Sequence, residues 1–197
     1  MNETQGPKDR LIAAAMHLMH SRGYTAVGIN EICAEAGVRR GSFFHYFPTK
    51  KDIGLAVLDR QWEVTERDLL QPAFAKDAQP LERIRRMFRM CYDYQCAHRG
   101  ASGQTLGCPF GILAAEMSTQ EEAIRRRAQQ VFADMAAYFT EALRELAEQE
   151  KVYVDAVSAG EALVAYLEGS LLMAKANDDP AMFNRLADLA VPLPVLG

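Results

Sequence analysis

Residues 29–47 read Ile29-Asn30-Glu31-Ile32-Cys33-Ala34-Glu35-Ala36-Gly37-Val38-Arg39-Arg40-Gly41-Ser42-Phe43-Phe44-His45-Tyr46-Phe47. The spacing predicts two helices, about Ile29–Ala36 and Arg40–Tyr46, around a turn at Ala36-Gly37-Val38. Each is too short to hold its shape alone, because helix nucleation is costly. Both must therefore lean on a third element. Gly37 can take the positive φ that a sharp reversal needs. Ile29, Ile32, Ala36, Val38 and Phe43 can pack inward, and Phe47 joins Phe43 as expected core. That leaves Arg39, Arg40, Ser42, Phe44 and His45 facing out. A short helix presenting cations, a hydroxyl and aromatic rings suits the major groove of DNA, where base edges and phosphates accept hydrogen bonds. Any one arginine or histidine would mean little, since exposed arginine is ordinary. It is their order beside the turn that points to nucleic acid.

Working outward, Leu11, Ala14, Ala15, Leu18 and Met19 recur at helical spacing before Gly23. On the other side Phe47-Pro48 ends the second short helix. Thr49 reads as an N-cap with Asp52 three residues on, opening a helix to about Leu70, before Pro72. Pro80 then opens a helix with the stripe Leu81, Ile84, Phe88, Cys91 and Tyr92. Arg99 to Gly103 is expected to be a loop, and a short helix follows Pro109. Longer helices are predicted over about Gln120–Glu148 and Asp155–Ala176, with a last one from Pro180 to before Pro192. Strand signals are thin. The predicted fold is all-α, with a DNA-binding module over residues 8–52 and a helical domain over residues 53–197.

The whole composition agrees with this without demanding it. The chain has 197 residues, 49% of them hydrophobic and 24% charged, enough to bury a real core. The net charge of −4 is uneven: residues 1–60 carry eight Lys/Arg and six Asp/Glu, the remainder fourteen and twenty. A basic head on an acidic body is compatible with DNA binding, which depends on the local patch. No uninterrupted apolar run reaches the ~20 residues of a membrane span, and the polar start, Met1 to Pro7, does not read as a signal peptide. The expected location is cytoplasmic, with no membrane partner. The cysteines Cys33, Cys91, Cys96 and Cys108 form no Cys-x-x-Cys pair, so no metal site and no cofactor is expected.

Residues Thr25 through Leu58 resemble the tetracycline-repressor (TetR) family. The shared features are a first helix, Gly-Tyr-Thr, Ala-Gly-Val, an aromatic recognition helix ending in Tyr-Phe, then a lysine opening an apolar helix. The resemblance implies a transcriptional regulator, not an enzyme, acting as a homodimer on a palindromic double-stranded DNA operator. Repression, relieved by a small-molecule or electrophile effector, is the family default. It places Arg40 where a lysine usually reaches DNA, Ser42 where a hydroxyl approaches base or backbone, and His45 and Tyr46 where rings touch phosphate. Lys50 matches a recurrent phosphate contact, and Thr25 and Phe44 complete the expected interface. The chain departs from the pattern twice. Phe43-Phe44 replaces the commoner Leu-Tyr, and Arg39 replaces a small polar residue, adding a possible guanine reader.

The resemblance further implies that the last two long helices form a four-helix bundle with a second copy. Leu163, Tyr166, Leu167, Ser170, Leu171 and Ala174 have the spacing for it, with Gly160 and Gly169 allowing close approach. The same stripe also fits an intramolecular core. Trp62, Met87, Met90, Tyr94, Phe110, Met117, Phe132 and Met135 are candidate walls of an effector cavity, where flexible and aromatic side chains suit varied ligands. The segment Leu106-Gly107-Cys108-Pro109-Phe110-Gly111 stands out. Pro109 can start a helix, and a cysteine at a helix start gains thiolate character. A similar Gly-Cys segment occurs in a TetR branch that includes repressors of electrophile and oxidant defence, which implies Lys175 as a neighbour of Cys108. A thiol-dependent enzyme built on Cys108 is the alternative, but no histidine or acid near it in sequence could serve as its base. A di-metal carboxylate enzyme is unsupported because no Glu-x-x-His occurs.

Overall fold

The computed structural model describes residues 6–190. The polar start at residues 1–5 and the stop expected at Pro192 lie outside them. Helices α1 (Pro7–Arg22), α2 (Ile29–Ala36), α3 (Arg40–Tyr46) and α4 (Lys50–Thr65) come first. Then follow the short α5 (Gln71–Ala73), α6 (Pro80–Ser102), α7 (Pro109–Met117), α8 (Glu122–Glu150), α9 (Ala156–Asn177) and α10 (Pro180–Ala190). Among the described residues there is no strand. The described residues form two compact units: residues 6–63 with 109–129, and residues 64–108 with 130–190.

In the first unit, α2 and α3 have the predicted bounds, and local chemistry explains why. Glu31 accepts from the Gly28 N–H at 2.8 Å and so caps α2. Gly37 ends it in the left-handed region, at φ 60°. Thr49 and Asp52 cap α4 as expected: the Asp52 carboxylate accepts from the Thr49 N–H at 2.8 Å and the Thr49 hydroxyl at 2.7 Å. Leu11, Ala15, Ile32, Phe43 and Ile53 are wholly buried, so α1 and α4 supply the surface on which the two short helices rest.

The second unit is built on aromatic rings. Phe74 meets Phe139 edge-on at 5.0 Å between centroids, and Phe88 stacks on Phe183 at 6.0 Å. Arg83, 3% exposed, pairs with Glu145, which holds the Glu145 carboxyl below its ordinary pKa.

Three expectations are corrected. The helix from Lys50 does not run regularly to Leu70: Glu66–Leu70 is a π turn, in which the Gln71 N–H reaches the Glu66 carbonyl five residues back. Such a wide turn accommodates a following proline, here Pro72, whose ring would crowd a normal α turn. The stretch Arg99–Gly103 is not a loop. α6 continues through Gly100 to Ser102 and closes only where Gly103, at φ 77°, donates to the Arg99 carbonyl. Leu163, Leu167, Ser170, Leu171 and Ala174 are buried within this chain. Gly160 is pressed against α8, since a Cβ there would lie 2.4 Å from Thr140 Oγ1. The stripe is therefore intramolecular core. By length and composition alone α9 is apolar enough to cross a membrane, a test that core helices also pass. The buried stripe accounts for part of its apolar character.

Candidate functional site

The outward face of α3 carries the residues anticipated for it. Arg39, the residue before α3, and Arg40, Ser42, Phe44 and His45 on it are exposed, while Tyr46 is half-buried. The Arg40 guanidinium donates to Asn30 Oδ1 at 3.0 Å and lies 5.6 Å from the centre of the Phe44 ring. Phe44, 42% exposed, is held edge-on against buried Phe43 at 5.3 Å. His45 and Tyr46 meet edge to face at 5.1 Å. The face therefore joins two guanidinium groups, a hydroxyl and three rings on one short helix. It can hydrogen-bond base edges and phosphates and make apolar contacts with thymine methyl groups.

Lys50 is engaged inside the unit. Its Nζ donates to the Tyr24 carbonyl at 2.6 Å and sits 4.4 Å from the centre of the Tyr24 ring. Burial lowers its pKa, and the charges of Glu116 and Glu31 oppose that.

Thr25 sits in a contact that the sequence did not disclose. Glu116, on α7, accepts from the Tyr24 N–H at 3.2 Å, the Thr25 N–H at 2.8 Å and the Thr25 hydroxyl at 2.8 Å. A carboxylate thus fills a nest of donors between α1 and α2, where anions are favoured. The first turn of α7 is also fixed. Pro109 and Phe110 line a small pocket, partly open to solvent, with Met16 and Met19 of α1 and Val57 and Leu58 of α4. Of the expected effector walls, Phe110 borders this cavity. Trp62 belongs to the same unit and is half-buried. Tyr94 and Met135 belong to the second unit, where Tyr94 packs on His98 at 4.2 Å and Met135 is buried.

Cys108 immediately precedes α7 and is half-buried. The segment leading to it is pinned. Gln95 bonds both backbone groups of Gly107, donating to its carbonyl at 3.2 Å and accepting from its N–H at 3.1 Å. Asp178 accepts from the Thr105 N–H at 2.8 Å and also pairs with Arg99. Lys175 lies across Gly107, so that a Cβ there would be 3.2 Å from Lys175 Cδ. The absence of an acid near Cys108 in sequence does not carry over to the fold: burial lifts the Glu168 carboxyl of α9 to about 7, and the Cys108 thiol works against that rise. Sixty positions separate the two, and only the packing of α9 joins them.

A buried three-helix support presenting a short polar and aromatic helix defines a helix-turn-helix DNA-binding regulator. The family model described as "Bacterial regulatory proteins, tetR family" matches residues 11–57. The one described as "Transcriptional regulator LmrA/YxaF-like, C-terminal domain" matches residues 80–189. The chain belongs to the TetR family of transcriptional regulators. It is 30% identical over 182 residues to an uncharacterized HTH-type transcriptional regulator in the lacX 3′ region of Lactococcus lactis, covering 92% of this chain and 90% of that one. A crystal structure of regulatory protein TetR from Rhodobacter sphaeroides superposes with a TM-score of 0.83 at 29% identity, covering 93% of this chain and 96% of that one. The HTH-type transcriptional repressor NemR of Escherichia coli is 29% identical over 118 residues, covering 60% of this chain and 57% of that one.

Proposed function

We propose that the protein is a repressor that binds a palindromic operator as a homodimer and is released by a small-molecule or electrophile effector sensed at Cys108. Residues 8–52 would bind DNA; residues 53–197 would carry dimerisation and effector response. Arg39, Arg40, Ser42, Phe44, His45 and Tyr46 would meet the groove, with Lys50 on a phosphate. Thr25 would tie this surface to α7. The observation that carries the reading is the attachment of α7. It begins beside a half-buried thiol and ends with Glu116 bonded between α1 and α2. A group added to Cys108 would push on α7, and differential strain in the two states would shift the DNA-binding equilibrium. The relative from Escherichia coli is named a repressor, which supports the sign assumed here.

The dimer reading rests on the outer faces of the last two helices. Val157, Leu172 and Met173 on α9 and Leu189 on α10 are exposed, at 49%, 66%, 46% and 59%. An apolar face of that kind calls for a partner, and a second copy matches two-fold operators. The location consistent with such a regulator is cytoplasmic.

The test is a duplex-DNA mobility shift before and after alkylation, in wild type and in Cys108→Ser. Release in wild type alone supports the reading. Equal release in both, or in neither, sinks the thiol-sensing part and leaves an ordinary non-covalent effector.

A further inference from the structure

The small pocket beside the first turn of α7 is lined by soft donors. Three side chains of α1 face it: Met16, Met19 and His20. At ~100° per residue they fall within about 100° of one another around the helix, so one face of α1 carries two thioethers and an imidazole. Met19 is 4% exposed and His20 9%, while Met16 is half-buried. His17, the other histidine of this turn, is exposed and pairs with Glu35. Gln61 of α4, also buried, joins them in the lining, with apolar side chains of α4 and α7 such as Val57 and Phe110. No thiol and no carboxylate lines the pocket.

We propose that this pocket is a site for one soft monovalent cation of the copper(I) type, held by Met16 Sδ, Met19 Sδ and one imidazole nitrogen of His20. Size decides against an organic ligand. The space inside is about 20 Å³, and a single water needs about 10–15 Å³, so one atom fits and a drug-sized molecule does not. Donor type decides the ion. Thioether sulfur selects soft ions such as copper(I), whereas zinc, calcium and magnesium take thiolate, imidazole or oxygen donors. Among the described residues no three His, Cys, Asp or Glu side chains are grouped to hold those ions. The missing Cys-x-x-Cys pair therefore argues against zinc and says nothing against a soft ion. Charge agrees. All the donors are neutral, so the ion keeps its full charge in an apolar shell, and the desolvation cost of that rises steeply from a monovalent to a divalent ion.

The proposal is independent of the reading of Cys108 as a sensor. It concerns a different set of donors, on the helix that supports α2 and α3. An ion bound there ties together one turn of α1 and stabilises the base of the DNA-binding face, since a ligand that binds only the folded chain raises its stability.

The probe is copper(I), added without oxygen as its acetonitrile complex to the full chain, isotope-labelled at the methionine methyls for nuclear magnetic resonance. Thiols also take copper(I), so Cys96 and Cys108, the two that are not buried, are changed to serine in every sample. The methyl signals of Met16 and Met19, assigned from Met16→Leu and Met19→Leu, should shift together and saturate at one equivalent. Competition against bicinchoninate should show affinity at least about 100-fold lower in the Met16→Leu, Met19→Leu double variant, beyond the cost of removing a mere supporting group. Leucine for methionine conserves volume and so keeps the fold. Zinc should leave both signals in place. Met16 and Met19 signals that stay put at saturating copper(I) overturn the proposal and leave the pocket to a water. Equal affinity in the double variant, or a zinc response as strong as that to copper(I), overturns it as well. If the double variant does not fold, the methyl spectrum of the parent protein decides.

Discussion

Glu116→Ala isolates the link between α7 and the DNA-binding helices. The carboxylate makes three hydrogen bonds, to the Tyr24 N–H, the Thr25 N–H and the Thr25 hydroxyl. Bonds to a charged group are worth ~1.5–3 kcal/mol each when buried. Thr25 is exposed and only the Tyr24 side of the contact is part-buried, so water replaces most of what alanine removes. A net loss of about 2 kcal/mol is expected. At ~2–4 °C per kcal/mol for a chain of this size, the melting temperature should fall by about 4–8 °C. Glu116→Gln keeps an acceptor and should lose roughly half as much. The second readout is coupling. If α7 signals through this contact, alkylation of Cys108 should weaken operator binding less in the alanine variant, by up to about 30-fold for a 2 kcal/mol term. Calorimetry and fluorescence anisotropy on a selected duplex measure the two. A melting temperature unchanged in Glu116→Ala, with wild-type release on alkylation, would show that these bonds neither hold α7 to the turn between α1 and α2 nor couple the two.

Lys50→Ala should weaken DNA binding about equally across sequences and lower the salt slope by about 1, whereas Arg39→Ala should relax preference at one base pair by ~1–3 kcal/mol; unchanged affinities in both would remove them from the interface. Leu172→Glu, on the exposed face of α9, should yield a folded monomer in light scattering, while Leu167→Glu, 2% exposed, should unfold the chain; a dimeric Leu172→Glu protein would put the interface elsewhere. Stability should fall as pH rises from about 4.5 to about 7. Over that range the folded chain keeps the Glu168 proton and the unfolded chain has lost it, at a cost of roughly 3 kcal/mol or less. Denaturant titrations at the two ends, compared with Glu168→Gln, measure it, and parallel curves would show that the carboxyl is not buried.

The DNA-binding part was legible because its determinants are local. A left-handed glycine, an N-terminal cap and a 3.6-residue stripe fix α2, α3 and the start of α4 within a few residues of each signal. The same logic failed where the deciding partner is distant. Gly100 looked like a stop, yet helix α6 continues to Gly103. The Leu163–Ala174 stripe was periodic enough for either a bundle between copies or a core within one, and periodicity carries no label for its partner. Glu116 lies 91 residues from Thr25, and Glu168 lies on another helix from Cys108. Neither has any local pattern, because an acid used at long range looks like any other surface acid in the sequence. Lys175 came from the family resemblance alone, and its stem lies against Gly107.

The hold of Gln95 on Gly107 has a practical meaning. One side chain acts there as a neighbouring strand would, pairing the N–H and the carbonyl of a single residue. Position 107 is recognised by its main chain, and position 95 by the length and polarity of its amide. An asparagine at 95 would fall a methylene short, and a glutamate would set a negative charge against a carbonyl oxygen. At 107, φ of 74° and the stem of Lys175 exclude other residues. Gln95, Gly107 and Asp178 are therefore positions to leave untouched in any variant meant to probe the proposed sensing role of Cys108. Variation belongs instead at the side chains that set which molecules reach the sulfur.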